Sequence, residues 1–243
     1  SKECLKTVNA RSLWWQLIQT RFETGEPYIL NLDTCNEFLP EQQKALGLEV
    51  KQSNLCSEIV LPTNEERTAV CCLSSVNLVH FDEWSKDENF IPDLITMLDN
   101  VLELFIESIV DTKVLDSDYN ANFKRFINYV REGKEGFAKA AYSAYRERSV
   151  GLGAMGFHSY LQDHGLCFEG VLATSFNHRA FSKIKSDAEK ATMVLGEIRG
   201  ASPDMAGSSK RNSHLLAIAP NASSSIICGG TSPSIEPTRA NAY

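Results

Sequence analysis

Two short apolar runs, residues 55–61 and 69–73, flank the polar connection Pro62-Thr63-Asn64-Glu65-Glu66-Arg67, and cysteine sits in both, where a purely structural strand has no need of it. Apolar runs of this length joined by turn-forming residues predict two strands and a turn. In an extended chain Asn54, Cys56 and Glu58 fall at i, i+2 and i+4, so an amide, a thiol and a carboxylate project to one side. Each also has a plain structural reading: the cysteine as a small buried hydrophobe, the asparagine as a turn residue, the glutamate on the solvent face of an edge strand. Spacing alone does not decide between the two.

Around this stretch the chain alternates helix and strand signals. Asn9 caps a predicted helix over residues 10–23, whose Leu13, Trp14, Leu17, Ile18 and Phe22 form one apolar stripe expected in the core, and Gly25 and Pro27 end it. Residues 28–32 then read as a buried strand, and Cys35 in the following turn is assigned a structural role. The strongest helical periodicity lies at 90–110, with Leu94, Leu98, Val101, Leu102, Phe105 and Ile109 on the face expected to cover a sheet. A shorter helix is predicted over 119–130.

From Ser143 the pattern predicts a strand, a turn and a helix. Gly151, Gly153 and Gly156 have the G-x-G-x-x-G spacing of a dinucleotide site. No acidic residue stands at the right distance in a complete βαβ unit, so these glycines are read as permitting close helix–strand packing. His158 and His164 are not at ligand spacing and are read as ordinary histidines. A long helix follows at 172–198 with a charged, solvated face (Lys183, Lys185, Asp187, Glu189, Lys190), then a polar loop at 200–212 whose adjacent basic pair, Lys210 and Arg211, has a surface role as the default and approach to an anion as the alternative. A short strand at 215–219 runs into Asn221, Ala222, Ser223, Ser224 and Ser225 at the start of a helix. Free backbone N–H groups and hydroxyls in such a turn can bind phosphate, although the same stretch also fits a plain serine cap.

The net charge of −7, from 24 basic and 31 acidic residues, argues against a nucleic-acid surface. Seven cysteines (Cys4, Cys35, Cys56, Cys71, Cys72, Cys167, Cys228), with no C-x-x-C and no zinc spacing, read as free thiols in a reducing compartment. No apolar run reaches membrane-span length and no signal sequence opens the chain, so a soluble cytoplasmic protein with no membrane partner is expected.

The segment SNLCSEIVLP followed by AVCCLSSVNL resembles the active-site region of the large, catalytic subunit of ribonucleotide reductase, where an Asn-x-Cys-x-Glu loop tip precedes a redox cysteine in a Cys-x-Leu-Ser context. ETGEPYILNLDTCN upstream, and RSVGLGAMGFHSYL and APNASSSIICGGTSPSIEP downstream, continue the resemblance in the family's order over nearly the whole chain.

The resemblance implies an α/β fold, about half of a ten-stranded α/β barrel: a single incomplete catalytic domain over 1–243, with a central finger loop at about 52–77 and a phosphate-binding turn at about 219–227. It implies that Cys56 becomes the thiyl radical, Glu58 the general base, Asn54 the group holding the sugar hydroxyls and Cys71 a redox cysteine. Asn221, Ala222, Ser223, Ser224 and Ser225 would hold the substrate diphosphate, mainly through backbone N–H groups. No cofactor would be bound by this chain directly. The radical would come from a diiron or dimanganese small subunit of class I type, in preference to cobalamin, with an external thiol such as thioredoxin or glutaredoxin as reductant.

The expected role is part of a split ribonucleoside-diphosphate reductase large subunit, completed by chains that supply the upstream redox cysteine and the downstream tyrosines. Cys72, beside Cys71, complicates the redox assignment. A non-catalytic remnant acting as a structural partner is the alternative, followed by a class II fragment and, with no C-x-x-C present, a thiol–disulfide oxidoreductase.

Overall fold

A computed structural model describes residues 6–238, so Cys4 lies outside the described residues. In chain order the helices are α1 (Ala10–Thr24), α2 (Leu32–Glu37) and α3 (Glu41–Ala45), then α4 (Phe81–Trp84), α5 (Phe90–Ile109), α6 (Thr112–Leu115), α7 (Phe123–Phe126) and α8 (Ala138–Glu147). After them come α9 (Phe157–Asp163), α10 (Val171–Arg199) and α11 (Ala222–Ile227). Two strands, β1 (Cys72–Asn77) and β2 (Val150–Met155), pair in parallel with Cys72 opposite Val150 and Asn77 opposite Met155. Leu216 extends the sheet as a parallel bridge to Leu152, and Val150 N–H donates to His214 O at 3.0 Å.

The sheet has two unlike faces, as strand alternation requires. Val76, Val150, Leu152 and Ala154 point into the core with the buried stripe of α5 (Ile91, Ile95, Leu98, Leu102, Ile106, Ile109). The other face carries Leu73, Ser75 and Asn77 beside Gly151, Gly153 and Met155. Helix α5 contacts both strands, α8 and α10, so it is the covering helix its periodicity predicts. Its buried face is rotated from the expected one, and Val101 is exposed.

Several local readings are corrected. Helix α1 has the expected ends, with Asn9 Oδ1 accepting from Ser12 N–H at 3.0 Å and Gly25 at φ 79°, but it buries no residue. Its Trp14 is 55% and its Phe22 91% exposed, so the apolar stripe is not core among the described residues. Residues 28–31 find no ladder partner and are not a strand, and α2 takes over at Leu32 and includes Cys35. Residues 55–61 form no strand either. The expected hairpin is replaced by β1 pairing with a strand far along the chain, and of the turn there is an isolated antiparallel bridge between Asn64 and Arg67.

Residues 119–130 form not one helix but α7 followed by a 3-10 turn at Ile127–Tyr129. Ser143 is helical, and β2 begins only at Val150, after Arg148 turns the chain in a left-handed conformation at φ 43°. Residues 215–219 contribute a bridge rather than a full strand.

Gly151 and Gly153 serve strand–strand rather than helix–strand approach, while Gly156, at φ 77°, opens α9 where an added Cβ would stand 2.6 Å from Asn77 Oδ1. A Cβ on Gly151 would stand 2.5 Å from Leu73 Cδ2, and one on Gly153 would stand 2.2 Å from Ala217 O. Without side chains there, the 214–219 segment lies against the sheet. Arg211, expected at the surface, is buried among carboxylates.

Candidate functional site

Asn54 organises the loop tip. Its N–H donates to Ile59 O at 3.2 Å, its Oδ1 accepts from Ile59 N–H at 3.1 Å, and its carbonyl accepts from Ser57 N–H at 3.2 Å. Ser57 sits at φ 63°, a left-handed position that reverses the chain within this turn. A tight turn, not an extended strand, therefore positions the three residues. It leaves Cys56 exposed at the tip beside Leu55, which is 90% exposed, and turns Glu58 inward.

Glu58 Oε2 is buried and has no hydrogen-bond partner among the described residues. A buried carboxylate oxygen without a donor is uncommon in a finished core. Asn54 spends its Oδ1 on Ile59, while among the described residues nothing accepts from its Nδ2.

Cys71 lies just ahead of β1 on the glycine side of the sheet, where a Cβ on Gly151 would stand 3.3 Å from its Sγ. Ser149 Oγ is 3.9 Å from the same sulfur. Burial pushes the Cys71 thiol up to about 12; the Ser149 contact opposes this, and Cys72, Glu147 and Glu58 add to it. Of these contributions that of Glu58 is the smallest. Cys72, one residue on, packs against the hydrophobic core on the opposite face, and burial raises its thiol as well. Alternation separates the two neighbouring thiols.

Glu147 was not legible as a functional group: the sequence reading starts a strand at Ser143 and gives the run Arg146-Glu147-Arg148 no role. It is fully buried: Ser143 Oγ donates to its Oε1 at 2.8 Å and Gln43 Nε2 to its Oε2 at 3.2 Å. Burial raises its carboxyl to about 7, against the Ser143 hydrogen bond and the nearby Arg67.

The serine-rich turn stands at the other end of the strands. Asn77, the last residue of β1, donates through Nδ2 to Cys228 O at 3.4 Å, and Gly156 N–H, just past β2, donates to Ser232 O at 2.8 Å. The 228–232 segment therefore crosses the C-terminal edge of the parallel strands, the edge at which parallel α/β sheets hold ligands. Ser223 and Ser224 are exposed, and among the described residues nothing accepts from the N–H groups of Ala222, Ser223 and Ser224. Asn221 turns its Nδ2 to Ala219 O at 2.7 Å and makes no side-chain cap. Ser225 is buried, with its N–H bonded to Asn221 O at 2.8 Å and its Oγ to Ala222 O at 3.0 Å. No group of three or more His, Cys, Asp or Glu among the described residues could hold a metal ion. No described helix is long and apolar enough to cross a membrane.

The family model "Ribonucleotide reductase, barrel domain" matches residues 1–210. The chain is 48% identical over 238 residues to the ribonucleoside-diphosphate reductase large subunit of Invertebrate iridescent virus 3, a match covering 98% of this chain and 34% of that protein. It is 45% identical over 237 residues to a putative ribonucleoside-diphosphate reductase large subunit of Frog virus 3, covering 98% of this chain and 38% of that one. Among solved structures, the Actinobacillus ureae class Id ribonucleotide reductase alpha subunit superposes with a TM-score of 0.83 at 36% identity, covering 96% of this chain and 40% of that chain. The chain thus spans little more than a third of the length of the curated relatives quoted, and its α/β structure is part of a barrel, as the resemblance implies. With a matching family model over most of its length, this chain belongs to the ribonucleotide reductase barrel-domain family.

Proposed function

We propose that this chain supplies the radical-cysteine loop and the substrate phosphate turn of a ribonucleoside-diphosphate reductase large subunit. The observation that carries the reading is the Glu58 carboxylate, held by the Asn54 turn two residues from the exposed Cys56 with a buried oxygen that has no partner among the described residues. Burial in turn keeps the Cys71 thiol, just ahead of β1, protonated. That combination suits a base waiting for a substrate hydroxyl and a sulfur that delivers hydrogen instead of ionising.

In this reading the substrate's diphosphate lies on the N–H groups of Ala222, Ser223 and Ser224, with Ser225 and Asn221 holding the turn in shape. Cys56, as a thiyl radical, takes the 3′ hydrogen atom of the ribose, and Glu58 takes the 3′-hydroxyl proton. Asn54 Nδ2 positions the sugar hydroxyls. The 2′-hydroxyl departs as water as Cys71 and a second cysteine give up two hydrogens and join as a disulfide, and Cys56 returns its hydrogen to C3′. The second cysteine and the tyrosines of the radical path come from complementary large-subunit segments. A metal-containing small subunit of class I type supplies the oxidising equivalent, and an external dithiol of the thioredoxin or glutaredoxin type reopens the disulfide. The class Id neighbour supports the class I assignment.

The test is reduction of a radiolabelled ribonucleoside diphosphate by this chain assembled with the complementary segments and a radical-generating subunit from the same source. Turnover in the mixture that Cys56→Ser abolishes and Cys72→Ser preserves is expected. A stoichiometric assembly with no turnover would sink the catalytic reading and leave a structural partner.

A further inference from the structure

Three guanidiniums converge in a cleft that includes no residue of the loop tip. This cleft of about 310 Å³ between α5, the end of α10 and the loop after it is lined by Arg148, Arg199, Arg211, Glu103, Ser202 and Tyr119, among others. Below it lies Asp99, fully buried, which accepts from Arg199 Nη1 and Arg211 Nε at 2.8 Å each and from Asn212 Nδ2 at 3.1 Å. Glu103 meets Arg148 Nη2 and stands 3.7 Å from Arg211 Nη2. Three cationic side chains thus face two carboxylates, which leaves one positive charge in excess.

Two buried polar atoms in the same wall have no hydrogen-bond partner. Ser202, 1% exposed, leaves its Oγ unbonded, and Arg148, 6% exposed, leaves its Nη1 unbonded, with Asp99 Oδ1 at 3.8 Å. Buried donors of this kind cost free energy unless something accepts from them. Both oxygens of Asp99, and Oε2 of Glu103, already face other donors. What the cleft lacks is an acceptor with negative charge.

We propose that this cleft binds a phosphate group, held by Arg148 Nη1, Arg199 and Ser202 Oγ. A tetrahedral anion can accept from a guanidinium fork and a hydroxyl at once, and it cancels the excess charge. The crowding of cations supports the assignment: burial and the adjacent Arg148 guanidinium together lower the basicity of Arg211, a penalty that an anion relieves. The cleft shares no residue with the serine-rich turn, so it is a second phosphate site, independent of the proposed substrate site.

The probe is inorganic phosphate, titrated into the chain at constant ionic strength with chloride as the control anion and followed by calorimetry and by thermal unfolding. Saturable one-to-one binding is expected in a variant whose turn is closed to anions by Ser224→Glu. In that background Arg199→Gln, at the cleft mouth, weakens binding about tenfold or more, the scale of one charge-assisted contact. Ser202→Ala weakens it several-fold and, because it removes an unmet buried donor, raises the unfolding temperature of the phosphate-free protein. No saturable binding in the Ser224→Glu background, or binding unchanged by both Arg199→Gln and Ser202→Ala, overturns the proposal. If Ser224→Glu alone abolishes binding, the turn is the phosphate site and the cleft is not.

Discussion

The Arg67 guanidinium and the Asp204 carboxylate, 137 residues apart in the chain, form a buried bidentate pair, with Arg67 Nη2 2.9 Å from Asp204 Oδ1. Arg146 Nε reaches the same Oδ1 at 2.8 Å, and Arg67 and Arg146 both lie over the Tyr142 ring. The segment leading into Cys71 is thus tied to α8 and to the loop after α10 by one carboxylate.

That arrangement makes the two partners unequal. Asp204→Ala strands the buried Arg67 guanidinium and the partly buried one of Arg146, and is expected to destabilise the protein by about 3–5 kcal/mol. Arg67→Ala leaves Asp204 still neutralised by Arg146, so its cost is expected to be clearly smaller. Urea unfolding of both variants reads the difference. Equal losses would show that Arg146 does not share the carboxylate.

Cys71 should behave as a protected thiol. With its pKa pushed from 9.0 to about 12, its thiolate population at neutral pH is about a thousandfold below that of an unperturbed cysteine. Timed alkylation read by peptide mass spectrometry should therefore find Cys56, Cys167 and Cys228, all exposed, labelled long before Cys71. Early modification of Cys71 in the folded chain would contradict its burial beside Gly151.

Gly153 should tolerate no side chain. The nearest atom to an added Cβ is a backbone oxygen, Ala217 O at 2.2 Å, which no rotamer change can move. Gly153→Ala is expected to cost about 1–3 kcal/mol as overpacking. It should also raise hydrogen exchange at Ala217 N–H, which donates to Leu152 O at 3.3 Å. Because that segment leads into the serine-rich turn, the phosphate binding proposed there should weaken with it. Unchanged exchange at Ala217 would mean the strands part elsewhere.

The long helices were legible because their signals are local. Helix α10 runs Val171–Arg199 against an expected 172–198, and α5 begins at Phe90 as its periodicity requires. The hairpin reading failed for the converse reason. Residues 69–73 look like one arm of a local turn, but β1 finds its partner at Val150, and a parallel partner leaves no mark in the intervening sequence. The loop was legible through its motif and misread in its geometry: Asn54, Cys56 and Glu58 stand in a tight turn that the Asn54 side chain closes, not on one face of a strand. Glu147 and Arg211 were hidden by charge, since ionised residues are read as solvated until their buried partners are known.

Glu147 and His214, both shifted by burial, are expected to shape the pH dependence of stability. Glu147 has its carboxyl raised from 4.5 to about 7 by burial, so between these values the folded chain holds a proton that the unfolded chain has lost. Its contribution is fully present below 4.5 and is lost as pH rises through 7, about 3 kcal/mol in all. His214 is shifted the other way, from 6.5 to about 4, by burial. There the unfolded chain takes up the proton first, so stability present above 6.5 is lost as pH falls toward 4, by a similar amount.

Between about 4.5 and 6.5 the two slopes oppose each other, and their sum in the native protein should be nearly flat. Glu147→Gln keeps a hydrogen-bonding group of the same shape, and its new amide N–H can serve Gln43 Oε1, which is buried without a partner. In that variant stability should rise with pH over this window as the His214 slope stands alone, while in His214→Gln it should fall with pH. Urea unfolding at three pH values across the window decides the matter. A Glu147→Gln profile as flat as the native one would show that this carboxyl does not titrate there.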